Sequence, residues 1–256
     1  MRLFQHVWRD ELDDIFVDVA PYYDRANVVA SLGLWHWFSS RFMAMIDLKP
    51  EMRVLDVCAG TNAVGIALLK REPTLQISAI DRSASMQQVG QARARALGFE
   101  IESTIGDAHV LPFPDNHFDL VTLQWASRHL RVQSLFREIH RVLKPGGHFH
   151  HCDMLRPGHP AIKQAYYTYL RLSLPVTGLL YRSGQAAMNA RRYFIDVLDA
   201  FYTTEELSEV LNRQGYCQVK GESLLGGMVG LHRARKAVPG QPCPGIQKHR
   251  SSHEAR

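Results

Sequence analysis

Short apolar stretches of strand length alternate with longer helical stretches through the middle of this chain, and this alternation is the strongest constraint on its fold. A strand joined to a parallel neighbour needs a crossover connection, which is usually a helix. The pattern therefore predicts an α/β fold with a Rossmann-like, doubly wound, mostly parallel sheet and helices on both faces. The predicted strands are 53–57, 76–80, 118–123, 147–154, 218–224 and 228–233, and the helices between them are 63–70, 84–97, 132–143 and 204–213.

The remaining sequence indicates three additions to this sheet. A chain of 256 residues with 46% apolar composition favours one elaborated domain. Residues 1–50 are expected to form a helical preface that packs over the active site, and 51–236 the main domain, with an apolar helical insertion at about 157–200. Residues 237–256 are rich in Pro, Gly, Ser and charge, so a disordered tail is expected there.

Composition excludes several classes of protein. The formal net charge is +5, but the basic residues are spread along the chain, so no nucleic-acid partner is indicated. No uncharged apolar run approaches the roughly twenty residues that span a bilayer, and the N-terminus is too charged for a signal peptide. We therefore expect a cytoplasmic protein.

The cysteine and histidine residues favour neither disulfides nor a metal site. The cysteines form no CxxC pair, so all four are expected to be reduced thiols. The string GGHFHHCD resembles a metal-binding sequence, but on a strand His148 and His150 share one face while His151 points to the other. We predict no metal there. The four cysteines are Cys58, Cys152, Cys217 and Cys243.

A turn of small residues follows the first strand, in the stretch VLDVCAGTNAVGIALL. In open parallel sheets ligands bind at the carboxyl ends of strands, so this turn is the first place to look. Asp81 follows Gly60 by 21 positions and directly follows the second strand, where an acid can accept both ribose hydroxyls of an adenosine. Asn62 stands where a dinucleotide-binding loop has glycine. We expected its side chain to obstruct a pyrophosphate, which favours a nucleoside cofactor without phosphates.

Several longer motifs carry a family resemblance. Two lie in the predicted core of the sheet: GDAHVLPFPDNHFDLVTLQW at 106–125 and REIHRVLKPGG at 137–147. Others lie outside it: VAPYYDRANVVASLGLWHWF at 19–38, SRHL at 127–130, RPGHPAIKQAYYTYL at 156–170, ARRYFIDVLDAF at 190–201 and GGMVGLHRARK at 226–236. By the first two the sequence resembles class I methyltransferases dependent on S-adenosylmethionine (SAM), and by the others, more narrowly, the ubiquinone/menaquinone biosynthesis C-methyltransferase (UbiE) family, over about residues 13–236.

The resemblance implies a seven-stranded class I methyltransferase fold and a SAM site. It assigns Asp81 to the ribose hydroxyls and Asp107 with Ala108 to the adenine. It places Gly60, Gly65 and Gln124 near the rest of the cofactor. Asp56 either caps the loop or contacts the cofactor; the two readings remain open.

On the substrate side, the resemblance places Tyr23, Arg128 and His129 near a quinol. Arg128 can stabilise a phenolate, and His129, with a reference pKa near 6.5, is a candidate base. His129 departs from the family, which has Asn at this position. Three other departures are Asn62 in place of Gly, Trp35 in place of His and Asp153 in place of Glu. Tyr23 has packing as an alternative role, and His129 the role of a surface residue at a helix start.

The implied reaction is methyl transfer from SAM to a ring carbon of a lipid-like, prenylated quinol in menaquinone or ubiquinone biosynthesis. Two alternatives remain: methylation of another small aromatic or isoprenoid molecule, and a non-catalytic SAM-fold subunit that binds a partner through the apolar region at 160–185. The Tyr- and Leu-rich stretch at 165–181 is expected either to belong to the core or to form the mouth of a tunnel for the prenyl tail. Peripheral contact with the inner membrane face is a further possibility for the protein. Assembly into a homo-oligomer or a biosynthetic complex is left open.

Overall fold

The computed structural model describes residues 15–181, 185–241 and 243. Within them, residues 15–19 are helical and precede eight longer helices and seven strands. The strands are β1 Arg53–Val57, β2 Gln76–Asp81, β3 Glu102–Ile105, β4 Phe118–Gln124, β5 Leu143–Met154, β6 Tyr216–Leu224 and β7 Val229–Lys236. The helices are α1 Tyr23–Ala30, α2 Trp35–Ala44, α3 Ala63–Arg71, α4 Ala84–Ala96, α5 Val132–Val142, α6 Pro160–Leu180, α7 Gln185–Ala200 and α8 Thr204–Arg213.

The strands form one sheet in the order β3-β2-β1-β4-β5-β7-β6. All neighbours from β3 to β5 are parallel, whereas β7 runs antiparallel to both β5 and β6. This confirms the mostly parallel seven-stranded sheet of the class I methyltransferase fold. The strand order reverses between β1 and β4, so the cleft for a ligand is expected at the carboxyl ends of these two strands.

Helices cover both faces of the sheet. On one face, α5 presents Leu135, Phe136 and Ile139, all fully buried, at the spacing expected for one side of a helix. On the other face, Phe42 of α2 and Leu68 of α3 pack in a second buried cluster. The two clusters hold the sheet rigid and thereby fix the strand ends that form the site.

The sequence pattern does not predict the third strand. β3 has four residues and none of them is buried, so it shows no apolar run. It is placed by pairing with β2, where Ser78 lies opposite Glu102 and Asp81 opposite Ile105. The long region before Phe118, which the pattern left without a strand, therefore completes the edge of the sheet beside Asp81.

One cysteine prediction was wrong. Cys217 of β6 and Cys243 form a disulfide, with their Cα atoms 5.5 Å apart, whereas Cys58 and Cys152 are free. The sequence offers no sign of this pair because the two cysteines are brought together only by the fold, in which the segment after β7 returns to the start of β6. The predicted disordered tail lies mainly outside the described residues, as do residues 1–14 of the preface.

The predicted insertion consists of α6 and α7, which follow β5 and precede α8 in the chain. The two helices pack against each other. Tyr166, Tyr167 and Leu170 of α6 are buried with Ile195 and Leu198 of α7. No helix within the described ranges is both long and apolar enough to cross a membrane. The far half of α6 nevertheless exposes a row of apolar side chains at helical spacing, namely Leu172, Val176, Leu179 and Leu180.

Candidate active site

A cleft of about 800 Å³ opens at the carboxyl ends of β1, β2 and β4. The preface forms part of its wall through Phe16, Tyr23 and Trp35, and the insertion forms another part through Tyr193 and Val197. Nine of the ten residues proposed from the sequence line this cleft. They are Tyr23, Asp56, Gly60, Asp81, Asp107, Ala108, Gln124, Arg128 and His129.

Gly65 is the exception. It lies one turn inside α3 and is buried, and a Cβ at this position would lie 3.1 Å from the Ile101 side chain and 3.4 Å from Ile77. Its backbone N–H donates to the Asp56 carboxylate. The glycine therefore permits close packing of α3 on β2, and it is not among the residues that line the cleft.

Asp81 ends β2 and is held by the backbone. One carboxylate oxygen accepts a 2.7 Å hydrogen bond from the Gly60 N–H, and the other accepts a 2.8 Å bond from the Ser83 N–H. Gly60 has a φ of 52°, in the left-handed region that favours glycine. The turn and the acid thus fix each other at the cleft edge.

Asn62 has a structural role that differs from the sequence interpretation. It adopts a left-handed φ of 55°, which asparagine tolerates better than most residues, and it is fully buried. Its Oδ1 accepts from Gln87 Nε2 at 3.1 Å, and its side chain fills the space left by Gly90, where a Cβ would lie 2.9 Å away. The side chain packs against α4 and is absent from the cleft lining, so the argument that it obstructs a pyrophosphate was wrong.

Asp56 is a buried acid below the small-residue turn. Its Oδ1 accepts a 2.7 Å bond from the Thr122 hydroxyl, whereas Oδ2 has no partner among the described residues. Burial raises the pKa of Asp56 to about 7, although the Thr122 and Gly65 hydrogen bonds oppose the rise. The acid thus links β1 to β4 through Thr122 and keeps one buried oxygen without a partner among the described residues.

Asp107 follows β3 and is oriented by a histidine that sequence reasoning missed. The Arg131 N–H donates to His109 Nε2 at 3.0 Å, so in neutral His109 the hydrogen is on Nδ1. This Nδ1 then donates to Asp107 Oδ1 at 2.6 Å. His109 thereby connects the acid to the loop after β4. Ala108 is buried beside it, and Gln124 ends β4 with a buried Nε2 that has no partner among the described residues.

Arg128 lies in a buried ion pair with Asp153. Its guanidinium contacts the Asp153 carboxylate and donates to the Trp125 carbonyl at 2.8 Å. Burial alone would lower the pKa of Arg128, but Asp153 outweighs it and the pKa is raised. The Nε of this permanent cation is buried without a partner in the described part of the chain. The arrangement therefore keeps one charged donor available at the cleft.

Asp153 is itself fully satisfied. Its Oδ2 accepts from the Ser127 hydroxyl at 2.7 Å and from the Arg128 N–H at 3.1 Å. Ser127 also contacts His151 Nε2 at 2.8 Å, and His151 contacts His232 at 3.2 Å. The second residue of the HH pair thus buttresses the site, and no cluster that could hold a metal occurs among the described residues.

His129 is buried beside a cation. Burial, and then the neighbouring Arg128 charge, lower its pKa to about 3, below the neutral range in which the sequence-based hypothesis places its titration. Its Nδ1 lies 2.8 Å from the Tyr193 hydroxyl, and its ring stacks on the Tyr193 ring with centroids 5.6 Å apart. Its Nε2 is buried and has no partner among the described residues.

Tyr23, Trp35 and Trp125 form an aromatic wall of the cleft. Burial raises the pKa of the Tyr23 hydroxyl to about 12, so it remains protonated at neutral pH. Trp35 stacks on Trp125 with ring centroids 4.9 Å apart and meets the Tyr23 ring edge-on at 6.3 Å. Trp125 has a φ of 61°, a strained value for an aromatic residue, at the corner that leads into Arg128. The wall suits a flat, apolar ring.

Asp24 links the preface to the small-residue turn after β1, which contains Thr61. Its carboxylate accepts from the Thr61 hydroxyl at 3.2 Å and pairs with Arg93 of α4 at 2.6 Å. The preface thus closes one side of the cleft through a polar contact as well as through aromatic packing. Asp24, His109 and Tyr193 were not singled out from the sequence, because their partners lie 37, 22 and 64 positions away.

Comparison with known proteins gives a consistent result. The sequence model of the ubiE/COQ5 methyltransferase family matches residues 5–236. A demethylmenaquinone methyltransferase from Desulfitobacterium hafniense is 31% identical over 229 residues, covering 88% of this chain and 89% of the relative. A ubiquinone/menaquinone biosynthesis C-methyltransferase UbiE from Dinoroseobacter shibae is 29% identical over 225 residues, covering 87% and 89%. A SAM-dependent methyltransferase from Aquifex aeolicus superposes with a TM-score of 0.55 at 18% identity, covering 77% of this chain and 88% of that one.

Proposed function

Because this chain belongs to the ubiE/COQ5 methyltransferase family, and is therefore a SAM-dependent methyltransferase, we propose that its methyl acceptor is a ring carbon of a prenylated quinol. The observation that carries the proposal is the unpartnered Nε of buried Arg128, which lies among aromatic side chains at the cleft. A quinol combines the two features that this surrounding recognises, a flat apolar ring and a phenolic oxygen that becomes anionic. Relatives named for quinone methylation support the same class of acceptor.

The described residues fit SAM in the half of the cleft between Asp81 and Gln124. Asp81 lines the cleft edge, where its carboxylate would accept the ribose hydroxyls in addition to its backbone hydrogen bonds, and Asp107 with Ala108 borders the expected adenine position. Asp56 Oδ2 and Gln124 Nε2 are buried polar atoms without partners among the described residues, and a ligand with polar groups would satisfy them. When bound, SAM supplies an activated methyl group on a sulfonium.

Charge balance favours a phenolate as the reacting form. Arg128 and Asp153 cancel each other, so an additional anion alone would be expensive in this buried place. A phenolate and a sulfonium cancel in the same way, so the two pairs together add no net charge to this part of the cleft. Arg128 would donate from Nε to the phenolate oxygen next to the attacked carbon and stabilise the negative charge there.

The proton of the quinol hydroxyl needs an acceptor other than the two candidates from the sequence. His129, with a pKa of about 3, is too weak a base, and Tyr23, with a pKa of about 12, stays protonated. We therefore assign deprotonation to water, with Arg128 lowering the pKa of the hydroxyl that it contacts. With SAM held by Asp81 and Asp107, its methyl group would be supplied to the ring carbon beside the phenolate, and water would take the proton that this carbon releases.

The test is product analysis with defined acceptors. The purified chain is incubated anaerobically with SAM and short-tailed demethylated naphthoquinol or benzoquinol, and methylated products are measured by mass spectrometry. We expect a C-methylated quinol from the parent and a loss of about 10² to 10³ in turnover for Arg128→Gln, with SAM affinity retained. Lys49→Gln, on an exposed loop, serves as the matched cation-to-amide control.

Other outcomes separate the remaining candidates. Methylation of a different aromatic or isoprenoid molecule but of neither quinol would replace the acceptor class. No SAM binding at all would favour a non-catalytic subunit. Full activity in Arg128→Gln would refute the assigned role of the guanidinium.

The prenyl tail is proposed to leave the cleft along the insertion. The ring site is bordered by Tyr193 and Val197 of α7, and α6 beside it exposes Leu172, Val176 and Leu179. Such a row buries apolar surface when it contacts a tail or the headgroup boundary of a bilayer. Peripheral contact with the inner membrane face remains a prediction, as does assembly with other copies or with a biosynthetic complex.

A further inference from the structure

Two groups from distant parts of the chain meet on the substrate side of the cleft. His129 lies in the turn after β4, and Tyr193 lies on α7 of the insertion. Their polar atoms are 2.8 Å apart, their rings are nearly parallel, and Phe194 contacts the His129 ring edge-on at 5.5 Å. Phe16 of the preface covers the ring from another direction at 6.5 Å. The imidazole is therefore fixed in both position and rotation.

The hydrogen bond between these residues has two forms. Either the Tyr193 hydroxyl donates to Nδ1 and the imidazole hydrogen is on Nε2, or Nδ1–H donates to the hydroxyl and Nε2 is a bare acceptor. A phenol is a better donor than acceptor, whereas an imidazole nitrogen is a good acceptor. Burial raises the pKa of Tyr193 to about 12 and lowers that of His129 to about 3, so the phenol keeps its hydrogen and the imidazole stays neutral. These properties favour the first form.

We propose that Tyr193 is a positioning residue that holds His129 as the Nε2–H tautomer, so that His129 donates a hydrogen bond to the acceptor oxygen of the substrate. Nε2 of His129 is buried and has no hydrogen-bond partner among the described residues, and it belongs to a side chain that lines the cleft. His129 then acts as a fixed neutral donor beside the charged donor Arg128. This inference rests on the proposed function, because it takes the oxygen to be that of a phenol.

The arrangement explains how a histidine can occupy a position where the resemblance expects asparagine. An asparagine amide offers an N–H without help, since its nitrogen is always a donor. A neutral histidine offers one only in the correct tautomer, and the tautomer is set by the group that its other nitrogen contacts. The insertion supplies that group through Tyr193. The pair His129 and Tyr193 thus replaces one amide donor.

The first test reads the tautomer directly. Nitrogen-15 correlation spectra of the histidine rings distinguish protonated from bare nitrogens, and the His129 signals are identified by their absence in His129→Asn. In the parent we expect hydrogen on Nε2 and a bare Nδ1 at pH 7. In Tyr193→Phe we expect a mixture of tautomers or hydrogen on Nδ1. Hydrogen on Nδ1 in the parent would overturn the proposal without any variant.

The second test uses the rate of methyl transfer with saturating SAM and a short-tailed demethylated naphthoquinol. Loss of one positioned hydrogen bond should lower kcat of Tyr193→Phe by about tenfold, with KM changed less than about twofold. In a His129→Ala background the same substitution should have no further effect, because Tyr193 acts only through His129. Tyr181→Phe, which removes a hydroxyl from the same insertion at a ring stacked on Tyr22, is the matched control.

The outcomes separate this inference from the proposed function. A parent protein that methylates no quinol would end the proposed function, whereas the tautomer measurement would still decide the role of Tyr193. An additive loss of rate in the double variant, or equal losses in Tyr193→Phe and Tyr181→Phe, would overturn the positioning role. Should Tyr193→Phe unfold, the parent spectrum still decides: hydrogen on Nε2 of His129 supports the proposal, and hydrogen on Nδ1 overturns it.

Discussion

Replacing Asp56 by asparagine should stabilise the ligand-free protein at alkaline pH. Asn keeps the oxygen that accepts from Thr122 and replaces the unpartnered Oδ2 by an uncharged amide NH2 group of similar size. In the parent, burial raises the pKa of Asp56 to about 7 from its ordinary value of 3.8. An acid whose pKa is raised by folding binds its proton more tightly in the folded state. The free energy of unfolding therefore falls as pH rises from about 4 and levels off above about 7.

The magnitude follows from the two pKa values. With a pKa of 3.8 in the unfolded state and about 7 in the folded state, the difference destabilises the fold by about 2 kcal/mol at pH 5, where folding takes up a proton, and by about 4 kcal/mol at pH 8. Asp56→Asn removes this pH-dependent cost. The variant should therefore gain up to about 2 kcal/mol more over the parent at pH 8 than at pH 5.

Urea unfolding at pH 5, 6, 7 and 8 measures this difference, and Asp47→Asn is the control. The Asp47 side chain is 92% exposed, so its removal should leave the pH dependence unchanged. A difference between Asp56→Asn and the parent that is the same at every pH would refute the reasoning. SAM titrations on the same samples add a second readout: if the ionised acid meets the positive cofactor, affinity should rise with pH in the parent and much less in Asp56→Asn.

Three further predictions concern the cofactor, the preface and the insertion. Asp81→Ala should lose charge-assisted hydrogen bonds worth about 1.5 to 3 kcal/mol each, so calorimetry should show SAM affinity reduced by well over tenfold, and NAD should not bind the parent. Equal SAM affinity would remove Asp81 from the site. Asp24→Asn weakens the contact between preface and loop and should speed SAM dissociation about three- to tenfold in stopped-flow traces; an unchanged rate would show that the preface does not retain the cofactor. Val176→Asp should abolish binding to anionic lipid vesicles while Val110→Asp, also at an exposed valine, should not.

The alternation of strands and helices determined most of the fold from the sequence alone. Apolar runs such as that of β1 can be buried only between helices, and the helices that connect them force parallel pairing. The small turn after β1 and the acid after β2 determined where a nucleoside would bind, because strand order places those ends together. The motifs outside this core indicated the family. β3 was missed because an edge strand without buried residues carries no periodic signal.

Contacts between distant residues were decided only by the tertiary structure. The sequence presents Asn62 as an obstacle in the loop, yet its side chain turns into the gap that Gly90 leaves on α4. It presents His129 as a base, yet burial and Arg128 hold the imidazole neutral. Cys217 reads as a free thiol until the chain after β7 brings Cys243 to it. A pKa, a side-chain direction and a pairing depend on which groups lie within a few ångströms, and that is fixed only when strands and helices far apart in the chain pack together.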